Sequence, residues 1–314
     1  MSLKHVVEAI DLLDGWVTGN DVKEALERHG LSPVITTVEG ERGRTDFVNV
    51  TVAGKSGKSA GGSAPTVGII GRLGGVGARP ARIGLVSDAD GAVAALAVAF
   101  KIGDMRRRGD VLAGDIMIAT HICPNAPVTP HDPVPFMGSP VDMDTLNRME
   151  VNPLMDAILS VDTTRGNRTL NRRGIAITPV VKEGYILPIS DEILDVYQNV
   201  TGDLPVVLPL TTYDITPYGN GLPHVNSIVQ PSTAACAPVI GVALVSNAAV
   251  PGCATGATQA FDVDVAVRFC IEVAKVVTGG EGNLFDEEAY EKAVELYGRF
   301  SILQTADGRP ARSR

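Results

Sequence analysis

Short apolar runs, each ending in a polar or glycine-rich turn and separated by helical stretches, leave few folds open to this chain. The runs read "TVGIIGRLGGVG", "ARIGLVS", "AGDIMIATHI", "AILSVD", "GIAITPVV", "LPVVLPLT" and "APVIGVALVS". Continuous apolar segments of this length, bounded by turn residues, suit strands covered on both faces. Alternation with helices predicts an α/β fold: a mixed, mainly parallel sheet flanked by helices on both faces. Upstream, apolar spacing predicts a helix over 3–14, and "DVKEALERHG" a second, capped by Asn20 or Asp21. The segments "SPVITTVEG" and "DFVNVTVAG" alternate and read as strands, and "GKSGKSAGGSAPT" as a flexible surface loop. A helical segment is expected around 142–157, and a closing helix pair in "DVDVAVRFCIEVAKVV" and "DEEAYEKAVELYGRF". Residues 1–304 are expected to form one α/β domain, followed by a disordered tail at 305–314.

Composition narrows the class further. The chain has 314 residues, 45% hydrophobic and 20% charged, which is globular rather than disordered usage. A formal net charge of -9, without a basic block, argues against nucleic acid and anionic membrane as partners. No apolar stretch is long enough to span a bilayer. The four cysteines, Cys123, Cys236, Cys253 and Cys270, are too sparse for a disulfide framework, and a cytoplasmic location is expected.

In sheets of this kind ligands bind beyond the carboxyl ends of the strands. The polar residues there are Arg72, Asp88, Asp90, His121, Cys123, Asp162 and Asp214. Asp88 and Asp90 precede "GAVAALAVAF". An acid in that place is either an N-cap or a metal ligand looking past the cap. The expectation is that Asp90 caps while Asp88 faces the cleft. His121 ends a strand and leads into 124–140, a stretch with six prolines that cannot be a helix or central strand and suits a lid or binding loop. Asp162 and Asp214 also suit turn chemistry. His224 follows a glycine turn from which it can reach the same cleft. Cys253 lies in a small-residue loop, where a thiol is usually inert. His5 and His29 fall on the N-terminal helices and read as surface residues.

Taken in order, "SDADGAVAALAVAFKIGDMRRRGDVLAGDIMIAT", "AILSVDTTRGN" and "APVIGVALVSNAAVPGCATGATQAFDVDVA" resemble segments of the di-zinc aminopeptidases and carboxypeptidases. The resemblance implies a zinc peptidase-like, three-layer scaffold of the aminopeptidase and phosphorylase type, in an uncharacterised family with a degenerate ligand set. It implies a homo-oligomer. It places Asp88 at the metal-bridging position and Asp162 at a later carboxylate ligand. Departures are equally specific. Arg72 and Gly74 stand where the first His-x-Asp motif belongs. His121-Ile122-Cys123 replaces the adjacent glutamates, and "PGCATGAT" has no closing His. An ordinary di-zinc peptidase is thereby excluded, because two zinc ions sharing a carboxylate need several imidazole ligands.

Three functions are compatible with this reading. The first is a modified hydrolase of small peptides or amides with one zinc or manganese ion on Asp88, His121 and Asp162. There, His121 and Cys253 are the catalytic candidates, and Arg72, Asp214 and His224 contact substrate. The second is a non-catalytic small-molecule, peptide-binding or assembly protein on the peptidase scaffold, with acids for an ammonium group and Arg72 for a carboxylate. The third is a metal-free, thiol-based racemase using Cys236 and Cys253.

Overall fold

The computed structural model describes residues 2–14, 16–72, 74, 84–129, 136–164, 170–210, 227–245 and 258–300. Two helices, α1 (Leu3–Leu13) and α2 (Gly19–Arg28), precede an antiparallel hairpin of β1 (Val34–Gly40) and β2 (Gly43–Val52). Then come β3 (Val67–Gly71), α3 (Asp90–Arg107) and β4 (Ile116–Ile122). Within the proline-rich stretch, β5 (Val128–Thr129) pairs with β6 (Phe136–Met137). α4 (Met143–Glu150), β7 (Ala157–Thr164), β8 (Gly174–Ile177), β9 (Val180–Lys182), β10 (Tyr185–Leu187) and α5 (Asp191–Thr201) follow. β11 (Val239–Val245), α6 (Ala260–Gly279) and α7 (Glu287–Tyr297) complete the order.

Nine strands form one sheet in the order β1-β2-β4-β3-β7-β11-β9-β10, with β8 also on β11. Its centre, β4-β3-β7-β11, is parallel; the pairings on either side are antiparallel. The expected mixed α/β architecture is thus present. Strand alternation sorts the faces. Val67, Ile69, Leu159 and Val161 pack with α1, α3 and α6, whereas Ile70, Met117, Ala119 and Ile158 form a separate cluster with Ala235 and Val239. α3 is buried almost throughout, which is why its sequence is apolar all round rather than striped.

Several local expectations change. Thr18 caps α2, with Asp21 closing a capping box: the Thr18 side chain accepts from the Asp21 amide, and the Asp21 carboxylate accepts from the Thr18 amide at 2.7 Å. "ARIGLVS" adds no strand over its described part, Gly84–Ser87, because β3 already has hydrogen-bonded neighbours on both sides, β4 and β7. "LPVVLPLT" contributes a single bridge, Ile177 to Val207. Pro205 and Pro209 have no N–H for a ladder there. The Gly/Ser-rich loop after β2 is pinned rather than flexible. The buried Asp115 carboxylate accepts from the amides of Gly54 at 2.9 Å and Ser59 at 2.7 Å, and a short 3₁₀ turn forms at Lys58–Ala60. The β9–β10 hairpin turns on Glu183 at φ 46 and Gly184 at φ 87. Its glutamate is tied down by Tyr290 and Arg299, each at 2.6 Å. No helix among the described residues is long and apolar enough to cross a membrane.

Candidate functional site at the strand ends

The carboxyl ends of β3, β4 and β7 meet the start of α3. Gly91 sets how closely: a Cβ there would lie 1.7 Å from the Arg72 carbonyl oxygen and 2.9 Å from that of Val161. Only glycine lets the helix begin directly on the ends of β3 and β7. Asp88 lies in the 3₁₀ turn Ser87–Ala89, and Asp90 is the first residue of α3. Ala89 is the N-cap and makes no side-chain capping bond. Asp90 therefore does not fill the expected capping role. Its carboxylate accepts from the Thr258 hydroxyl at 2.7 Å, fixing the approach to α6. Asp88 and Asp162 are both buried, and Asp162 Oδ1 accepts from the Thr163 amide at 2.6 Å.

Arg72 and His121 project to the sheet face that carries α4. There the Arg72 guanidinium donates through Nη1 to Glu150 Oε2 at 2.6 Å and to Asn147 Oδ1 at 3.0 Å. The other carboxylate oxygen of Glu150 lies 2.5 Å from His121 Nδ1. On the far side of the ring, the Gly74 amide donates to His121 Nε2 at 3.1 Å. An Nε2 that accepts must be unprotonated, so Nδ1 carries the proton and donates to Glu150. His121 is thereby a neutral imidazole with both nitrogens engaged. The Glu150 side chain has no exposed surface. Burial pushes its carboxyl upward, but the Arg72 charge and the His121 contact outweigh that and hold it below the ordinary carboxylate range.

The same network holds Gly74. Cys123 donates its amide to the Gly74 carbonyl at 2.9 Å, and a Cβ on Gly74 would fall 1.5 Å from the His121 carbonyl oxygen. Cys123 itself is buried. Deeper along this face, Asn147 Nδ2 reaches Thr233 Oγ1 at 3.4 Å. Ser160 Oγ and both amide atoms of Gln230 are buried without hydrogen-bond partners.

Of the residues singled out in the sequence, Arg72 and His121 come together, but through Glu150 and turned inward. Arg72 is 2% exposed and is committed to Glu150 and Asn147 rather than presented for a substrate carboxylate. Asp88, His121 and Asp162 do not converge as a three-ligand group. Among the described residues the one such group of His, Cys, Asp or Glu is His5, His29 and Asp104. Asp214, His224 and Cys253 lie outside the described residues. Cys236 is exposed. His5 and His29, expected at the surface, are 1% and 7% exposed. The reason is an acid from distant sequence: Asp104 on α3 faces both rings, at 3.0 and 2.9 Å. Glu150 and Asn147 were not anticipated. Their i, i+3 spacing on one face of α4 was the available signal.

The fold and these strand ends define an α/β protein with an interior Arg–Glu–His network at its strand-end site. The chain belongs to the family described as "Protein of unknown function (DUF1177)", which matches residues 36–307. A comparison with curated proteins returns no match. Similar solved structures include the bottromycin maturation enzyme BotP in complex with Mn, at 16% identity and TM-score 0.49, covering 87% of this chain and 71% of that one. A glutaminyl cyclase from an Acidobacteriales bacterium aligns at 11% identity and TM-score 0.48, covering 89% and 94%. The Porphyromonas gingivalis glutaminyl cyclase does so at 12% and 0.49, covering 88% and 95%. None of these likenesses assigns a role to a residue of this chain.

Proposed function

We propose that this protein binds a small molecule or peptide at the strand-end site, next to Asp88 and Asp162, without a metal on His121. One observation carries the reading: Gly74 and Glu150 occupy both ring nitrogens of His121. A metal ligand needs a free lone pair, and here that lone pair holds the backbone in place. Arg72 neutralises Glu150 in the same network, and Asp88 and Asp162 are further buried acids at the strand ends. Their charge suits a ligand with an ammonium group, as in an amine, amino acid or peptide N-terminus.

A metal-dependent hydrolase of small peptides or amides is the second reading. It is favoured by the same two buried carboxylates, and its further ligands would come from outside the described residues. Thermal shift and calorimetry with amines, amino acids and short peptides separate the two. The first reading expects a stabilising ligand whose binding is unchanged by EDTA and at least about tenfold weaker in Asp88→Asn or Asp162→Asn, a loss of ~1.4 kcal/mol. Amide turnover that EDTA and Asp88→Asn both abolish would establish the second.

A further inference from the structure

We propose that the opposite end of the fold carries a metal site of its own, with His5, His29 and Asp104 as ligands for a divalent ion of the zinc or cobalt type. α3 runs from Asp90 at the strand ends to Arg107, so at 1.5 Å per residue Asp104 lies about 20 Å from the candidate site above.

The His29 ring supplies the leading observation. Its Nδ1 faces Asp104 Oδ1 at 2.9 Å and its Nε2 faces Glu8 Oε1 at 2.8 Å. A neutral imidazole has one N–H, so one of those nitrogens would turn a lone pair toward a carboxylate. A cation satisfies both contacts at once, either a second proton or a metal on Nδ1. With a metal on Nδ1, the Nε2 proton goes to Glu8, the carboxylate–histidine pairing by which metal-bound imidazoles are oriented. His5 Nε2 approaches the other Asp104 oxygen at 3.0 Å. One ligand atom from each of the three residues lies within 4.8 Å of the others. Ligands around tetrahedral zinc are roughly 3.3 Å apart, given bond lengths near 2.0–2.2 Å, so small adjustments suffice.

The rings are also well fixed. Phe100 stacks on His29 at 4.5 Å between centroids, and all three candidate ligands are buried. His5 Nδ1 is buried and has no hydrogen-bond partner, so hydrogen bonding alone does not explain where this ring sits. Two cations stand against the ion: Lys4 at 2.9 Å and Arg107 both pair with Asp104. Their side chains are 61% and 52% exposed, so these pairs contribute little and can swing into solvent. They act as competitors of the metal.

Cobalt absorption spectroscopy and zinc calorimetry on the full chain, stripped with EDTA, test the proposal. One equivalent should bind, with d–d bands of nitrogen and oxygen ligation. Binding should be lost in His29→Gln and weakened about tenfold in Glu8→Gln, whose half-exposed side chain makes misfolding no concern. The Lys4→Gln and Arg107→Gln double variant should bind more tightly, and Asp88→Asn should bind as the parent does. Absence of binding to the folded parent at millimolar metal would overturn the proposal, with a second proton on His29 as the resolving cation. Binding that survives in His29→Gln but fails in Asp88→Asn would overturn it as well, and would move the metal to the strand ends.

Discussion

Replacing Arg72 with methionine is expected to destabilise the protein by about 3–5 kcal/mol, measured by denaturant unfolding, because it leaves the Glu150 carboxylate buried without its counter-charge. Glu150→Leu should cost a similar amount by stranding the guanidinium. The double variant, with both charges gone, should lose markedly less than the sum of the single ones, since the desolvation cost disappears with the charges. The pH dependence has a defined sign. The Glu150 carboxyl is held below its ordinary value of 4.5, so its contribution is complete above that pH and fades as pH falls through the lower, folded value. The parent should therefore lose stability below about pH 4.5, and this component should be missing from the double variant. An acid limb of equal steepness in both proteins would show that the pair is not ionised in the native state.

Gly91→Ala is expected to be a severely damaging methyl addition at the site, by about 3 kcal/mol or more in unfolding free energy. The new Cβ would meet two backbone oxygens, which have no rotamer to adopt, at 1.7 and 2.9 Å. Relief requires lifting the start of α3 from the ends of β3 and β7, and with it the Asp90 contact to Thr258. Gly61→Ala provides the contrast. Gly61 has φ +77, but a Cβ added there would meet nothing within 4 Å, so its cost should be confined to the backbone conformation, about 1 kcal/mol. Equal stability losses in the two variants would contradict the tight packing at Gly91.

The parallel core was legible because its strands are buried on both faces, so β3, β4, β7 and β11 write their positions as unbroken apolar runs. The same was true of α3, whose small residues announce a helix in close contact with the sheet. What escaped notice depends on partners far away in sequence. The loop after β2 looks flexible until Asp115, more than fifty residues on, is seen to accept its amides. His5 and His29 look superficial until Asp104 is placed between them. At the strand ends, Asp88, Asp162, Arg72 and His121 could be picked out one at a time by their position after apolar runs. Their pairing could not. Glu150 and Asn147 arrive on α4 from the far side of the proline-rich stretch, and it is Glu150 that turns Arg72 and His121 from prospective ligand groups into an internal network.

The most direct measurement is a long-range nitrogen–proton correlation spectrum of the histidine rings, with His121 assigned by substitution, recorded before and after addition of zinc. The expected result is a His121 protonated on Nδ1, with an unprotonated, hydrogen-bonded Nε2 whose shift does not move when zinc is added. A His121 Nε2 resonance that shifts stoichiometrically with zinc would contradict the proposed metal-free role of this residue and restore the strand ends as a metal centre.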